Sequence, residues 1–243
     1  ITNNNGSLIF ENNNLIDGKV TGTTATNTGV LNIDANNLDV ILTNNGTLNL
    51  GIGSITKEIT GAGATNILGT VKNYASISQD VNVDSSGNLT VGANIGNLVN
   101  NGTVNANTNN LSGSINNSGT LNLSGTLNKT VSGLGTTRVS DSGLALVNGA
   151  EIKGSLEVNN QTLYVLATNT DNLFNNVKVN SGTINLINNN INNLNANSFN
   201  INGNVNLLLD ADLANVSMDR LPSVTVADSI ISVKGINLLS DSK

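Results

Sequence analysis

The sequence predicts an all-β chain, a single right-handed parallel β-helix of about 11–13 coils of roughly 20 residues, and three observations carry that prediction. The first is a recurrent phrase. GTLNL stands at Gly46–Leu50 and again at Gly119–Leu123, with near copies starting at Gly6, Gly29, Gly87, Gly102, Gly154, Gly182 and Gly203 and weaker ones at Gly69 and Gly135. These glycines recur about every 20 residues, a period in the range of solenoids. The second is alternation within each phrase, as in Leu48 and Leu50, Leu89 and Val91, Leu121 and Leu123, or Ile184 and Leu186, which is the period-two signature of a strand with one buried and one wet face. The third is composition: five aromatic residues in 243, about a fifth asparagine, and only 11% charged residues. A wide globular core normally buries several aromatics, whereas a narrow column of stacked coils is filled by Leu, Ile and Val.

Along the chain the strands are three to five residues long and are bounded by Asn-Asn, Asn-Gly, Ser-Gly and Asp-Ser pairs, read as corners needing left-handed backbone. An antiparallel sandwich would repeat at about 8 to 12 residues, roughly half the spacing seen here. Leu121 and Leu123 are expected to point inward and Asn122 outward, and asparagines at equivalent corners to form ladders of side-chain amides. The domain is expected to run over 1–243, with Asn- and Gly-rich coils over 1–204 and more aliphatic coils of the same solenoid over 205–243.

Three stretches depart from the repeat. GIGSITKEITGAG, from Gly51 to Gly63 and including Lys57 and Glu58, reads as an irregular coil or a corner insertion. QTLYVLATNTDNLFNN, from Gln161 to Asn176, behind the widest interval between phrase glycines, Gly154 to Gly182, reads as an aliphatic strand and a longer excursion that protrudes as a loop, with Tyr164 and Phe174 as packing filler at its flanks. After Asn206 the chain turns more apolar and holds its one proline, Pro222, and its one methionine, Met218.

Chemistry is sparse. There is no His and no Cys, so imidazole bases, thiolates and disulfides are excluded. Net charge is −6 with no basic cluster, against nucleic acid as a partner, and no apolar run is long enough to span a bilayer as a helix. The start, ITNNNGSLIF, lacks the pattern of a signal peptide, and the chain reads as a segment of a longer protein. The one pair of acids at i and i+2 on a strand is Asp210 with Asp212, positions that would share a proton or a cation in a polysaccharide-active β-helix. A solvated face or a capping turn is the favoured reading of that pair, and Glu157 and Asp171 stand among unrelated neighbours. Thr21 with Thr23 alone resembles a Thr-x-Thr row, and ten Asn-x-Ser/Thr sequons, such as Asn45, Asn101 and Asn122, match chance in so Asn-rich a chain. No residue is assigned to catalysis, to a cofactor or to a metal.

The phrase N-x-G-T-[LVI]-N-[LVI], as in Asn45–Leu50 and Asn101–Ala106, resembles the coil repeat of autotransporter passenger regions, the type V secreted adhesin-like proteins of Gram-negative bacteria. LDADLANVSMDRL, Leu209 to Leu221, resembles the Asp-containing stretch late in such passengers. The resemblance implies a non-enzymatic surface or secreted stalk, with an outer-membrane barrel following in the full chain and a role in virulence. Its implied partners are host-surface or neighbouring-cell proteins or glycans, or further copies of itself. Two-partner secreted haemagglutinin-like adhesins share such repeats, and a carbohydrate-active or carbohydrate-binding β-helix is the competing class.

Overall fold

The computed structural model describes residues 1–3, 8–170, 173–227 and 229–239; Gly6 and Asp171 lie outside the described residues. The fold is a β-solenoid of about 11 turns in which strands pair in parallel with the same strand one turn later. The chain divides into two compact units, Ile1–Leu121 and Asn122–Lys243.

In the first unit the turns stack in three ladders; two of them merge in the long early strands Val20–Asn27 and Leu38–Asn44, and from Ile77 onward the third is one isolated bridge per turn. One ladder runs Val30–Ile33, Thr47–Leu50, Ala64–Ile67, Asp80–Val83, Leu98–Asn100 and Ile115–Asn117. A second runs Gly53–Ile55, Thr70–Asn73, Asn88–Val91 and Thr103–Asn107. The third passes through Leu42, Ile59, Ile77, Ile95 and Leu111. Turn length varies within this unit, from the short turn that pairs Asn88 with Thr103 to the longer one that pairs Thr2 with Thr21. The phrase copies are therefore not one repeated rung. Those starting at Gly29 and Gly46 belong to the first ladder, whereas those at Gly69, Gly87 and Gly102 belong to the second, so the wide interval from Gly46 to Gly69 is one turn plus a step to the next face. Gly51 to Gly63, expected to be irregular, is an ordinary part of a turn, with strands at Gly53–Ile55 and Ile59–Thr60.

Gly29, Gly46, Gly102 and Gly119 are required by close approach, not by the left-handed backbone expected of them, since none has a positive φ; Gly182, at φ 128°, meets both demands. A Cβ placed on Gly46 would lie 2.0 Å from the carbonyl oxygen of Gly29, and one on Gly119 2.2 Å from that of Gly102. The same carbonyls accept hydrogen bonds from the residue after the next glycine, Thr47 N to Gly29 O at 2.8 Å and Thr120 N to Gly102 O at 2.8 Å. A side chain at the glycine would push the turns apart and break that bond.

The interior columns are aliphatic, as alternation predicted. Leu31, Leu48, Leu50, Ile67, Val81, Val83, Leu89, Leu121 and Leu123 are fully buried. Asparagine enters these columns as well. Asn100 and Asn117 continue the row of Leu50, Ile67 and Val83, and Asn73 stands between Ile55 and Val91. Each such amide replaces apolar contact with hydrogen bonds to backbone at and beside the corners. Asn100 Oδ1 accepts from Gly102 N at 3.0 Å, and its Nδ2 donates to Asn117 Oδ1 at 2.8 Å and Thr120 O at 2.9 Å. Gln79 reaches further. Its register position follows Gly61, which has no side chain, and it passes that gap to meet Asn44, donating to Asn44 O at 3.1 Å and accepting from Asn44 Nδ2 at 2.7 Å.

In the second unit the turns lengthen, beginning with the pairing of Thr136 with Ser155 and ending with that of Leu208 with Gly235. Here the strands are long, Thr136–Leu146, Glu151–Val165 and Phe174–Asn185, because two adjacent faces merge through corners at Asn159–Asn160 and Asn180–Gly182. The aliphatic strand expected within Gln161–Asn176 is present, Gln161–Tyr164 pairing with Gly182–Asn185; residues 166–170 and Leu173 lie outside strands, and the wide interval from Gly154 to Gly182 again combines a turn with a change of face. Three aromatics, Phe10, Phe174 and Phe199, are buried, so the column is not wholly without them. After residue 204, Val205–Asp212 pairs in parallel with Phe174–Asn185 and with Ile231–Leu238, and an antiparallel hairpin to Ser217–Met218 interrupts the winding.

Leu121→Asp is expected to cost more than about 4 kcal/mol or to abolish folding, since it leaves an unpaired charge in the column. Asn100→Ala should cost about 2–3 kcal/mol by orphaning buried backbone groups, against about 0.5–1 kcal/mol for Asn66→Ala on the wet face. Urea unfolding followed by circular dichroism orders the three.

Candidate functional site

Outward-facing residues fall at the same position on successive turns, so polar side chains become rows about 4.8 Å apart. In the first unit the central row is an amide ladder. Asn32, Asn49, Asn66 and Asn82 each donate through Nδ2 to the Oδ1 of an asparagine on the preceding turn at 2.8–3.0 Å, beginning at Asn13. On a neighbouring face Lys19, Asp39 and Lys57 stack, with Lys19 Nζ 2.9 Å and Lys57 Nζ 3.7 Å from the Asp39 carboxylate. The hydrogen bond from Lys19 and then its charge hold the Asp39 carboxyl below the ordinary range. Lys57 is thus paired across turns with Asp39.

The second unit carries the charged counterpart. Arg138, Glu157, Lys178 and Asn200 share one outward row, turn upon turn, and Thr136, Ser155, Asn176 and Ser198 form the row two residues before it. Arg138 Nε donates to Glu157 Oε2 at 2.8 Å, and Ser198 Oγ donates to Asn176 Oδ1 at 2.9 Å. These rows line a hollow of about 320 Å³ that includes Thr136, Ser155, Glu157, Asn176, Lys178 and Ser198. At the starts of the same strands, Glu151, Lys153, Phe174, Asn175 and Asn197 line another of about 370 Å³. Glu157, isolated in the sequence, is therefore flanked by two cations. The signal was present in the sequence as Arg138, Glu157 and Lys178 set one turn apart, legible only once the turn lengths of this unit are known.

Asp210 and Asp212 do not form a pair. Asp210 is fully buried, while Asp212 caps the hairpin turn, accepting from Ala214 N at 3.0 Å and Asn215 N at 3.2 Å. The nearby acid that matters to Asp210 is Asp219, brought to it by the hairpin. Asp210 N donates to Asp219 Oδ2 at 2.5 Å, and Asp219 N donates to Asp210 O at 3.0 Å. The Asp210 carboxylate accepts from Asn188 N at 2.7 Å, Asn190 N at 3.2 Å and Asn237 Nδ2 at 2.5 Å, and Asp219 Oδ1 accepts from Asn192 N at 2.7 Å. All four carboxylate oxygens thus accept from N–H donors, which makes the pair a clamp for the asparagine-rich corner Asn188–Asn192.

Compared with protein-family models, curated proteins and solved structures, the chain matches none. Residue chemistry and geometry therefore carry the functional reading. Among the described residues no three or more His, Cys, Asp or Glu side chains converge in a metal-holding group, and no helix is long and apolar enough to cross a membrane.

Burial raises the Asp219 carboxyl above its ordinary value; hydrogen bonds from Asn192 and Asp210 oppose this, and the Asp210 charge adds to the rise. A carboxyl whose folded pKa is raised binds its proton more tightly when folded, so its contribution to stability is present below pH ~3.8 and is lost as pH rises through the folded value. Thermal unfolding from pH 3.5 to 7 should show that loss for the second unit, relative to Asp219→Ala, in which the slope is absent.

Proposed function

We propose that this chain is a non-enzymatic β-helical stalk of the autotransporter passenger type, exposed on a bacterial surface or secreted, acting in adhesion or self-association. The single observation that carries the reading is the division of labour in each turn. Inward positions hold aliphatic columns and structural amides, and outward positions form long hydrogen-bonded polar rows. Such rows hold side chains in fixed places at no further ordering cost, which suits broad, shallow contact with another surface. The clamp of Asp210 and Asp219 favours the structural reading of the late acidic stretch over a hydrolytic one. Full-length context in this proposal includes a membrane barrel after the passenger, recognisable as segments of about 10 alternating residues.

Beads carrying the chain should be retained on cultured host-cell monolayers, or clump with one another, above beads carrying albumin. No retention together with monomeric sedimentation at high concentration would overturn the adhesive reading. Release of reducing ends from a panel of plant and host polysaccharides, lost in Asp210→Asn or Asp212→Asn, would overturn the non-enzymatic one.

A further inference from the structure

We infer that the hollow over Glu157, Lys178 and Asn200 binds an acidic oligosaccharide, a chain of pyranose units bearing carboxylates. The inference rests on the adhesin reading and assigns a ligand class to one face of the second unit.

The hollow is built from two parallel rows of different chemistry. Thr136, Ser155, Asn176 and Ser198 offer hydroxyls and amides, the groups that exchange hydrogen bonds with sugar hydroxyls in both directions. Glu157, Lys178 and Asn200 supply charge and a further amide, and Arg138, next in the same row, lies just outside the lining. The rows advance by one strand spacing, about 4.8 Å, per turn, close to the advance of one pyranose along a polysaccharide, so successive sugars meet successive turns.

The sign of the ligand follows from how these charges are partnered. Glu157 is engaged by Arg138 through Nε, and its side chain is only 20% exposed. No carboxylate lies within 4 Å of Lys178 Nζ among the described residues, and Lys178 is exposed. The row therefore offers one ammonium group with no ion-pair partner, beside a guanidinium whose terminal nitrogens lie outside the Arg138 Nε bond. A neutral sugar would need an aromatic platform to gain apolar contact, and none of the residues lining this hollow is aromatic. A carboxylate supplies what that platform would have: a charge-assisted bond to Lys178. Glu157 acts as a positioning residue that fixes Arg138 and repels a ligand carboxylate from the middle of the row. With the whole chain at −6, attraction is short-ranged, and affinity should fall with salt.

The test uses the full chain with tetragalacturonate and a hyaluronate tetrasaccharide as probes and cellotetraose as the neutral counterpart, followed by isothermal titration and by shifts in amide NMR spectra. At least one acidic probe should bind and weaken several-fold on moving from low to ~0.5 M salt, with cellotetraose at least tenfold weaker. Lys178→Gln should reduce affinity about tenfold, Glu157→Gln should leave it unchanged or raise it, and Lys72→Gln, exposed in the first unit, should leave it unchanged. Absence of binding by either acidic probe, equal binding of cellotetraose, or a loss in Glu157→Gln as large as in Lys178→Gln overturns the assignment. Should Lys178→Gln not fold, the salt dependence and the neutral probe still decide. Adhering beads with no uronate binding would overturn the groove alone; uronate binding without adhesion would overturn the stalk reading alone.

Discussion

Everything in this fold depends on how closely one turn of backbone can lie on the next at the glycine corner. There a carbonyl oxygen sits over the following Cα, and the same oxygen accepts the hydrogen bond that starts the next strand, as with Gly29 O and Thr47 N. That contact fixes the vertical register. Once it is fixed, period-two alternation assigns Leu48 and Leu50 to the column and Asn49 to the wet face without further choice.

The polar interior follows from the same geometry. Even a turn as short as the one from Asn88 to Thr103 has corners, and some of their backbone groups, such as Gly102 N and Ala93 O, meet side-chain amides of the column. Asn100, Asn73 and Gln79 supply those partners from within the column. Each amide costs apolar burial and gains several bonds in a low-dielectric setting, where an unmatched group is expensive. Asp210 and Asp219 do comparable work for the wider corner at Asn188–Asn192 using carboxylates, which accept more bonds than an amide but bring charge into the interior.

The sequence made the strand alternation, the all-β class and the inward assignment of Leu121 and Leu123 legible, because each rests on local periodicity. It concealed which face each phrase occupies. GTLNL reads identically wherever it falls, and the change of face after Gly46 is hidden in an interval, Gly46 to Gly69, that resembles one long turn. The charged row was concealed for a related reason: Arg138, Glu157 and Lys178 become neighbours only through turn lengths that themselves drift along the chain. Asp219 was missed because the hairpin that delivers it to Asp210 runs antiparallel, against the repeat on which the reading was built.

The spread of turn lengths bears on what the fold can tolerate. From the short turn between Asn88 and Thr103 to the long one between Leu208 and Gly235, the stacked strands keep their pairing while the intervening corners vary. A solenoid of this kind tolerates gain and loss of residues at its corners as a zip fastener tolerates patches on its tape: the teeth stay engaged. A residue gained or lost at a corner would therefore alter the outer surface while the glycine contacts and the column behind them stay in register.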